Sequence, residues 1–224
     1  MMEGFDRPTS VIICGSDRPL LNWIAFALAG CVDPRFAWTD VQMEGEQLDP
    51  LDPLSRHLIP PARFDSVTPF QMGAEVVPAG ISPEKLIRPD ERGETVRHLA
   101  DFIRLPAHTQ ERISQIPSGH EPAVLVLSNG HRLVALYPSA SVGRAVGAIV
   151  SAGATLIMTF ADAPPAGRLA FSAVVHVSGR GMADWREATL RVEKGGPVDG
   201  VRAGSSRPLG ELPTLGPAMG KHLD

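Results

Sequence analysis

Ala123-Val124-Leu125-Val126-Leu127 is an unbroken apolar run, and a short run of this kind reads as a strand buried on both faces, the condition of a central strand in a parallel sheet. Two more stretches repeat the pattern: Val11 to Cys14, closed by Gly15, and Ala154 to Phe160, opened by Gly153. Helical spacing lies between them. Leu20, Leu21, Ile24 and Leu28 predict a helix from Arg18 to Gly30, and a second runs from Ser139 or Ser141 to about Ala152. Buried strands that alternate with helices make an α/β fold with a mostly parallel central sheet.

The remaining elements follow from the same rules. Phe36 to Val41 reads as a second strand. Residues 44–90 lose periodicity and are punctuated by Pro50, Pro53, Pro60, Pro61, Pro69, Pro78, Pro83 and Pro89, which predicts loops and short pieces wrapped over a sheet edge. Helical spacing returns from Glu91 to Arg104 through Val96, Leu99, Phe102 and Ile103, with a shorter helix over His108 to Ile116. Phe171 to Ser178 and Glu187 to Glu193 read as closing strands. In the second of these Ala188, Leu190 and Val192 alternate with Thr189, Arg191 and Glu193, so the sheet is expected to finish antiparallel. Residues 1–194 then form one domain, and 195–224, rich in Gly, Pro and Ser, are expected to be a flexible tail.

Charge and composition narrow the function classes. The net charge of −4 offers no basic field to gather phosphate backbones, so nucleic-acid binding by the chain on its own is not expected. The apolar stretch from Val142 to Phe160 is interrupted by Arg144, Ser151 and glycines, and reads as helix plus strand, not a membrane span. No basic leader precedes Val11, and Cys14 and Cys31 sit in apolar surroundings without a disulfide pattern; the reading places the chain in the cytoplasm.

Ligands in such sheets bind beyond the carboxyl ends of the strands. Gly15-Ser16-Asp17-Arg18 and Ser128-Asn129-Gly130 belong there, as does Thr159. Arg18 at a helix start can meet an anion, but a helix capped by Asp17 or Ser16 explains the same residues without a ligand. The seven histidines form no ligand-spaced pair, and His176 reads as a half-buried strand residue. Gly143 and Gly147 are expected to let their helix pack closely on the sheet. Of the tryptophans, Trp23 and Trp38 are expected in the core and Trp185 at the surface.

The order of these parts resembles the core of the RecA/KaiC-type P-loop ATPases over residues 10–194, together with the phrases Gly153-Ala154-Thr155-Leu156-Ile157-Met158-Thr159 and Ala188-Thr189-Leu190-Arg191-Val192-Glu193-Lys194-Gly195. The resemblance implies a three-layer sandwich. It also exposes departures, because a phosphate loop needs Gly-x-x-x-x-Gly-Lys-[Ser/Thr]. Aligned on Gly15, Leu20 replaces the second glycine, Leu21 the lysine and Asn22 the hydroxyl residue, while Pro19 removes an amide donor. The strand that should end in a magnesium-binding acid ends in Ser128 and Asn129. The resemblance therefore implies a domain without ATP hydrolysis, with no cofactor and no ATP expected, kept as a regulatory or assembly partner of an active relative or of another copy. In that family the region before the last strand lies near the subunit contact, which marks Arg180, Trp185 and Arg186 as a candidate interaction loop. Two rival readings are a nucleotide- or small-ligand sensor that uses Gly15 to Arg18 without hydrolysis, and an α/β enzyme of another class.

Overall fold

The computed structural model describes residues 5, 7–33, 36–41, 51, 53, 64–67, 71–72, 75–76, 123–136, 139–151, 153–162 and 171–223. Ten strands are present among them: β1 (Ser10–Gly15), β2 (Ala37–Val41), β3 (Phe64–Val67), β4 (Gln71–Met72), β5 (Glu75–Val76), β6 (Ala123–Ser128), β7 (Ala154–Ala161), β8 (Ala173–Ser178), β9 (Thr189–Gly195) and β10 (Ser206–Pro208). The helices are α1 (Arg18–Val32), α2 (Gly130–Leu136), α3 (Ser139–Ser151) and α4 (Leu215–Leu223). All strands but β4 and β5, which pair with each other, join one eight-stranded sheet in the order β10-β9-β8-β1-β7-β6-β2-β3. From β8 to β3 every pairing is parallel. β9 and β10 then finish the sheet antiparallel.

The order of the strands decides where the helices go. The connection through α1 carries the chain from β1 across β7 and β6 to β2, whereas the connection through α2 and α3 returns it from β6 to β7, in the opposite direction. Right-handed crossovers in opposite directions put their helices on opposite faces of the sheet. Side chains agree: Thr159 faces α1, where its hydroxyl meets Asn22, and its neighbours Met158 and Phe160 point the other way, against Gly130 at the start of α2. The architecture is α/β with helices on both sheet faces, consistent with three layers.

α1 is buried along most of its circumference, from Leu20 through Ala29 with only Phe26 half-buried. A helix apolar all round needs cover on two sides. The sheet supplies one, through Val11, Ile13, Val126, Ile157 and Val175, and the C-terminal segment supplies the other, through Leu209, Leu212, Leu215 and Met219.

That second cover corrects the expectation of a flexible tail after residue 194. Val198, Val201, Leu209, Leu212, Leu215 and Met219 are each at most 2% exposed. β10 pairs with β9, and α4 lies on α1. From Leu209 to Met219 the apolar residues come at spacings of three and four, but glycines and prolines stand between them, and their burial depends on a face of α1 that no local pattern displays. Burying one Leu or Met contributes about 1.5–3 kcal/mol, enough in sum to hold a segment of weak intrinsic helicity.

Within the proline-rich stretch, β3 extends the sheet beyond β2, in keeping with short pieces over a sheet edge. The helices expected over Glu91 to Arg104 and His108 to Ile116 lie outside the described residues. α2 was not anticipated: Asn129, with φ of 59°, turns the chain directly from β6 into a helix, a backbone conformation that Asn tolerates. Gly147 also departs from expectation. It is exposed, and a Cβ built there would meet nothing within 4 Å, so it serves no close packing on the sheet.

Candidate functional site

The carboxyl ends of β1, β6, β7 and β8 lie side by side, and the crevice beyond such ends is where a ligand of a sheet of this kind would sit. Gly15 is buried at the end of β1, where a Cβ would run into the Val177 carbonyl and approach Leu21 Cδ2 to 3.2 Å. Its own carbonyl accepts the Asp162 N–H at 2.9 Å. The space beside this residue is taken by Val177 and Leu21.

Asp17 is the N-cap of α1, its Oδ1 accepting the Leu20 N–H at 2.9 Å, as the capping reading expects. Ser16 is exposed and Arg18 half-buried. Leu20 and Leu21, at 0% and 1% exposed, face the core, because α1 begins at Arg18 and its apolar positions turn inward at once.

Beneath the crevice lies a buried polar network. The Thr159 hydroxyl donates to Asn22 Oδ1 at 3.0 Å and accepts the Asn129 N–H at 3.1 Å. Beside it, Trp38 Nε1–H donates to Ser128 Oγ at 3.1 Å. Each of these residues is at most 2% exposed. All the groups are uncharged, and these bonds are made inside the molecule, as buried polar groups require. Ser128, Asn129 and Thr159, expected to face a site, are thus brought together with Asn22 as interior links. Asn22 carried a sequence signal of its own, a lone amide within the apolar stretch from Leu20 to Leu28; the part of Trp38 had none.

Acid–base and nucleophilic groups are scarce here. Cys14 and His176 are register neighbours on β1 and β8, a thiol and an imidazole on adjacent strands. The thiol, however, donates to the Val175 carbonyl at 3.2 Å, and burial, with a smaller push from Glu193, raises its pKa to about 12. A protonated, fully buried thiol is no nucleophile. Cys31 is also raised by burial and by Asp199, against a lowering pull from Lys221. His131 Nδ1 accepts the Ala161 N–H at 3.3 Å, and His222 stacks on Trp23 with ring centroids 5.8 Å apart. His57, His98, His108 and His120 lie outside the described residues. Among the described residues no group of three or more His, Cys, Asp or Glu is placed to hold a metal ion, and no helix is long and apolar enough to cross a membrane.

The loop between β8 and β9 turns several charged side chains outward at this edge. Ser178, Gly179, Arg180, Asp184, Glu187 and Ala188 line an open depression of about 440 Å³. Arg180 and Arg186 are exposed. Trp185 is not: at 5% exposed it belongs to the core, and it carries the guanidinium of Arg186 over its outer face at 5.3 Å from the ring centroid. The charged neighbours Asp184 and Arg186 suggested a surface indole, but the short 3₁₀ turn Met182–Asp184 rotates the ring inward and leaves its neighbours outside.

No protein-family model matches the chain, and a search of the curated proteins finds no match to it.

Proposed function

We propose that the chain is a non-catalytic, cytoplasmic RecA-like domain that acts through protein contacts, as a regulatory or assembly partner of an active relative or of another copy of itself. One observation carries the reading: where the resemblance asks for a phosphate loop and a magnesium-binding acid, the chain has buried Leu20 and Leu21 and the uncharged network of Asn22, Thr159 and Asn129. None of these five residues brings a charge to a phosphate or to magnesium. Further support comes from the course of the sheet, which follows the order of parts behind the resemblance and closes with an antiparallel pair. Among the described residues, Arg180, Asp184 and Glu187 are exposed charged groups on a loop anchored in the core by Trp185, over which Arg186 lies.

Thermal unfolding with and without millimolar ATP and magnesium tests the first half of this reading. A ligand at a hundred times its dissociation constant would stabilise the fold by about 2.7 kcal/mol. No shift is expected; a clear upward shift would move the reading to a nucleotide sensor. Sizing of the chain alone and mixed with RecA-like relatives from the same cell, at micromolar concentration, tests the second half. Failure to associate in every mixture would count against a partner role.

A further inference from the structure

The C-terminal segment reaches beyond the core it completes. Its contacts form an unbroken path from Asp199 to the loop Gly179–Ala188. Asp199 is 3% exposed, with a φ of 49°. Its carboxylate accepts the Thr214 N–H at 3.1 and 3.2 Å and the Leu215 N–H at 2.8 Å. These amides open α4, so a remote carboxylate fills the place of a helix cap and meets the positive end of the helix.

The next link is Gly216. A Cβ there would come within 3.0 Å of the carbonyl oxygens of Leu209 and Gly210, so the first turn of α4 is seated directly on the 3₁₀ turn Leu209–Glu211. That turn grips the loop in its turn. The Leu209 N–H donates to the Ala188 carbonyl at 2.7 Å and the Gly210 N–H to the Arg186 carbonyl at 3.0 Å. A Cβ on Gly210 would stand 3.1 Å from Arg186 Cβ. Every step is backbone contact or a bond to a buried carboxylate, with no flexible side chain between.

We infer that α4 and the loop Gly179–Ala188 order as one unit, so that release of α4 from α1 unlocks the loop. A helix of nine residues does not persist alone in water; α4 is helical because Leu215 and Met219 are buried and Asp199 is in place. It therefore has two states, docked and released, and the loop shares them. The biological use of this coupling rests on the reading of the loop as an interaction surface; the coupling itself does not.

Native-state hydrogen exchange on the full chain, followed over a range of urea below the unfolding transition, tests it without a partner. The Gly216 and Ala218 amides report on α4, the Leu209 and Gly210 amides on the junction, and the Glu187 and Ala188 amides on the loop. In the wild type these should merge into one opening reaction, at lower free energy than the amides of β1 and β7. Asp199→Ala should speed α4 and loop exchange together by about tenfold or more, the scale set by losing bonds to a charged group. Gly210→Ala, which crowds Arg186 at the junction without touching Asp199, should speed exchange in α4 and the loop as well. Loop amides that keep their protection while α4 opens would overturn the inference. Should Asp199→Ala fail to fold, Gly210→Ala and the wild-type isotherms decide it. A partner that binds wild type and Gly210→Ala equally, with the exchange still coupled, would leave the inference standing and remove the loop as the interface.

Discussion

Thr159 and Asn22 meet inside the molecule, the threonine hydroxyl donating to the amide oxygen over 3.0 Å and joining the end of β7 to the second turn of α1. The same hydroxyl oxygen accepts the Asn129 N–H. One side chain thus connects a strand, a helix and a loop at the edge where parallel sheets usually hold ligands.

Thr159→Val keeps the shape and deletes both bonds. Because the groups it deserts are buried, the expected loss is about 1–3 kcal/mol, read from the urea midpoint at unchanged slope, and Thr159→Ser should recover most of it. A valine variant as stable as the wild type would show that the network contributes nothing net to folding.

Leu21→Lys puts a lysine where a phosphate-loop pattern aligned on Gly15 would have one. At 1% exposed the position would place an ammonium in the apolar core, and the expected result is destabilisation by more than about 3 kcal/mol, with no ATP-dependent rise in Tm. A variant that folded normally and gained such a rise would mean that the loop retains the form of a phosphate cradle.

Cys14 should resist thiol reagents in the native state at pH 8 and react freely once unfolded, because the thiolate is the reactive form; Cys31, half-buried, should be labelled first. Since the folded pKa of Cys14 is raised from 9.0 to about 12, the folded state holds its proton above pH 9 where the unfolded state loses it. Stability is unaffected by this thiol below pH 9 and falls as pH rises from 9 toward 12. Cys14→Ala should flatten that fall in a pH series of denaturation curves, and an unchanged series would exclude the thiol as its cause.

Trp185→Ala and the double substitution Arg180→Glu with Arg186→Glu should separate fold from surface. The first empties a buried site and is expected to cost about 3–5 kcal/mol. The second changes two exposed side chains; its expected effect on stability is within about 1 kcal/mol, and it should abolish association with any partner found by sizing. If the double variant still associates, the loop is not the contact.

Much of the architecture was legible from local pattern. The apolar run Ala123 to Leu127, the strand ending at Gly15 and the strand following Gly153 (φ of 93°) stand where periodicity and turn chemistry put them, because a strand buried on both faces must be apolar at every position. The alternation of Leu190 and Val192 with Arg191 and Glu193 likewise announced a strand with one wet face, and β9 is that strand. Asp17 as a helix cap was legible too, since its bond closes within three residues.

What failed to show in the sequence depends on contacts between distant residues. Trp185 reads as a surface residue beside Asp184 and Arg186 until a 3₁₀ turn rotates it inward. Residues 195–223 read as a tail until α1 presents a second apolar face for Leu215 and Met219 to cover. Asn22, Asn129 and Thr159 become one network only when β6, β7 and α1 converge, at separations of 30 and 137 residues. The sequence by itself determined β1, β2, β6, β7, β8 and β9, the first helix and the departures from a phosphate-loop pattern, because these follow from side-chain periodicity and identity. Only the tertiary structure decided what the residues at those positions meet, because burial and hydrogen-bond partnership belong to pairs of residues that the chain brings together by folding.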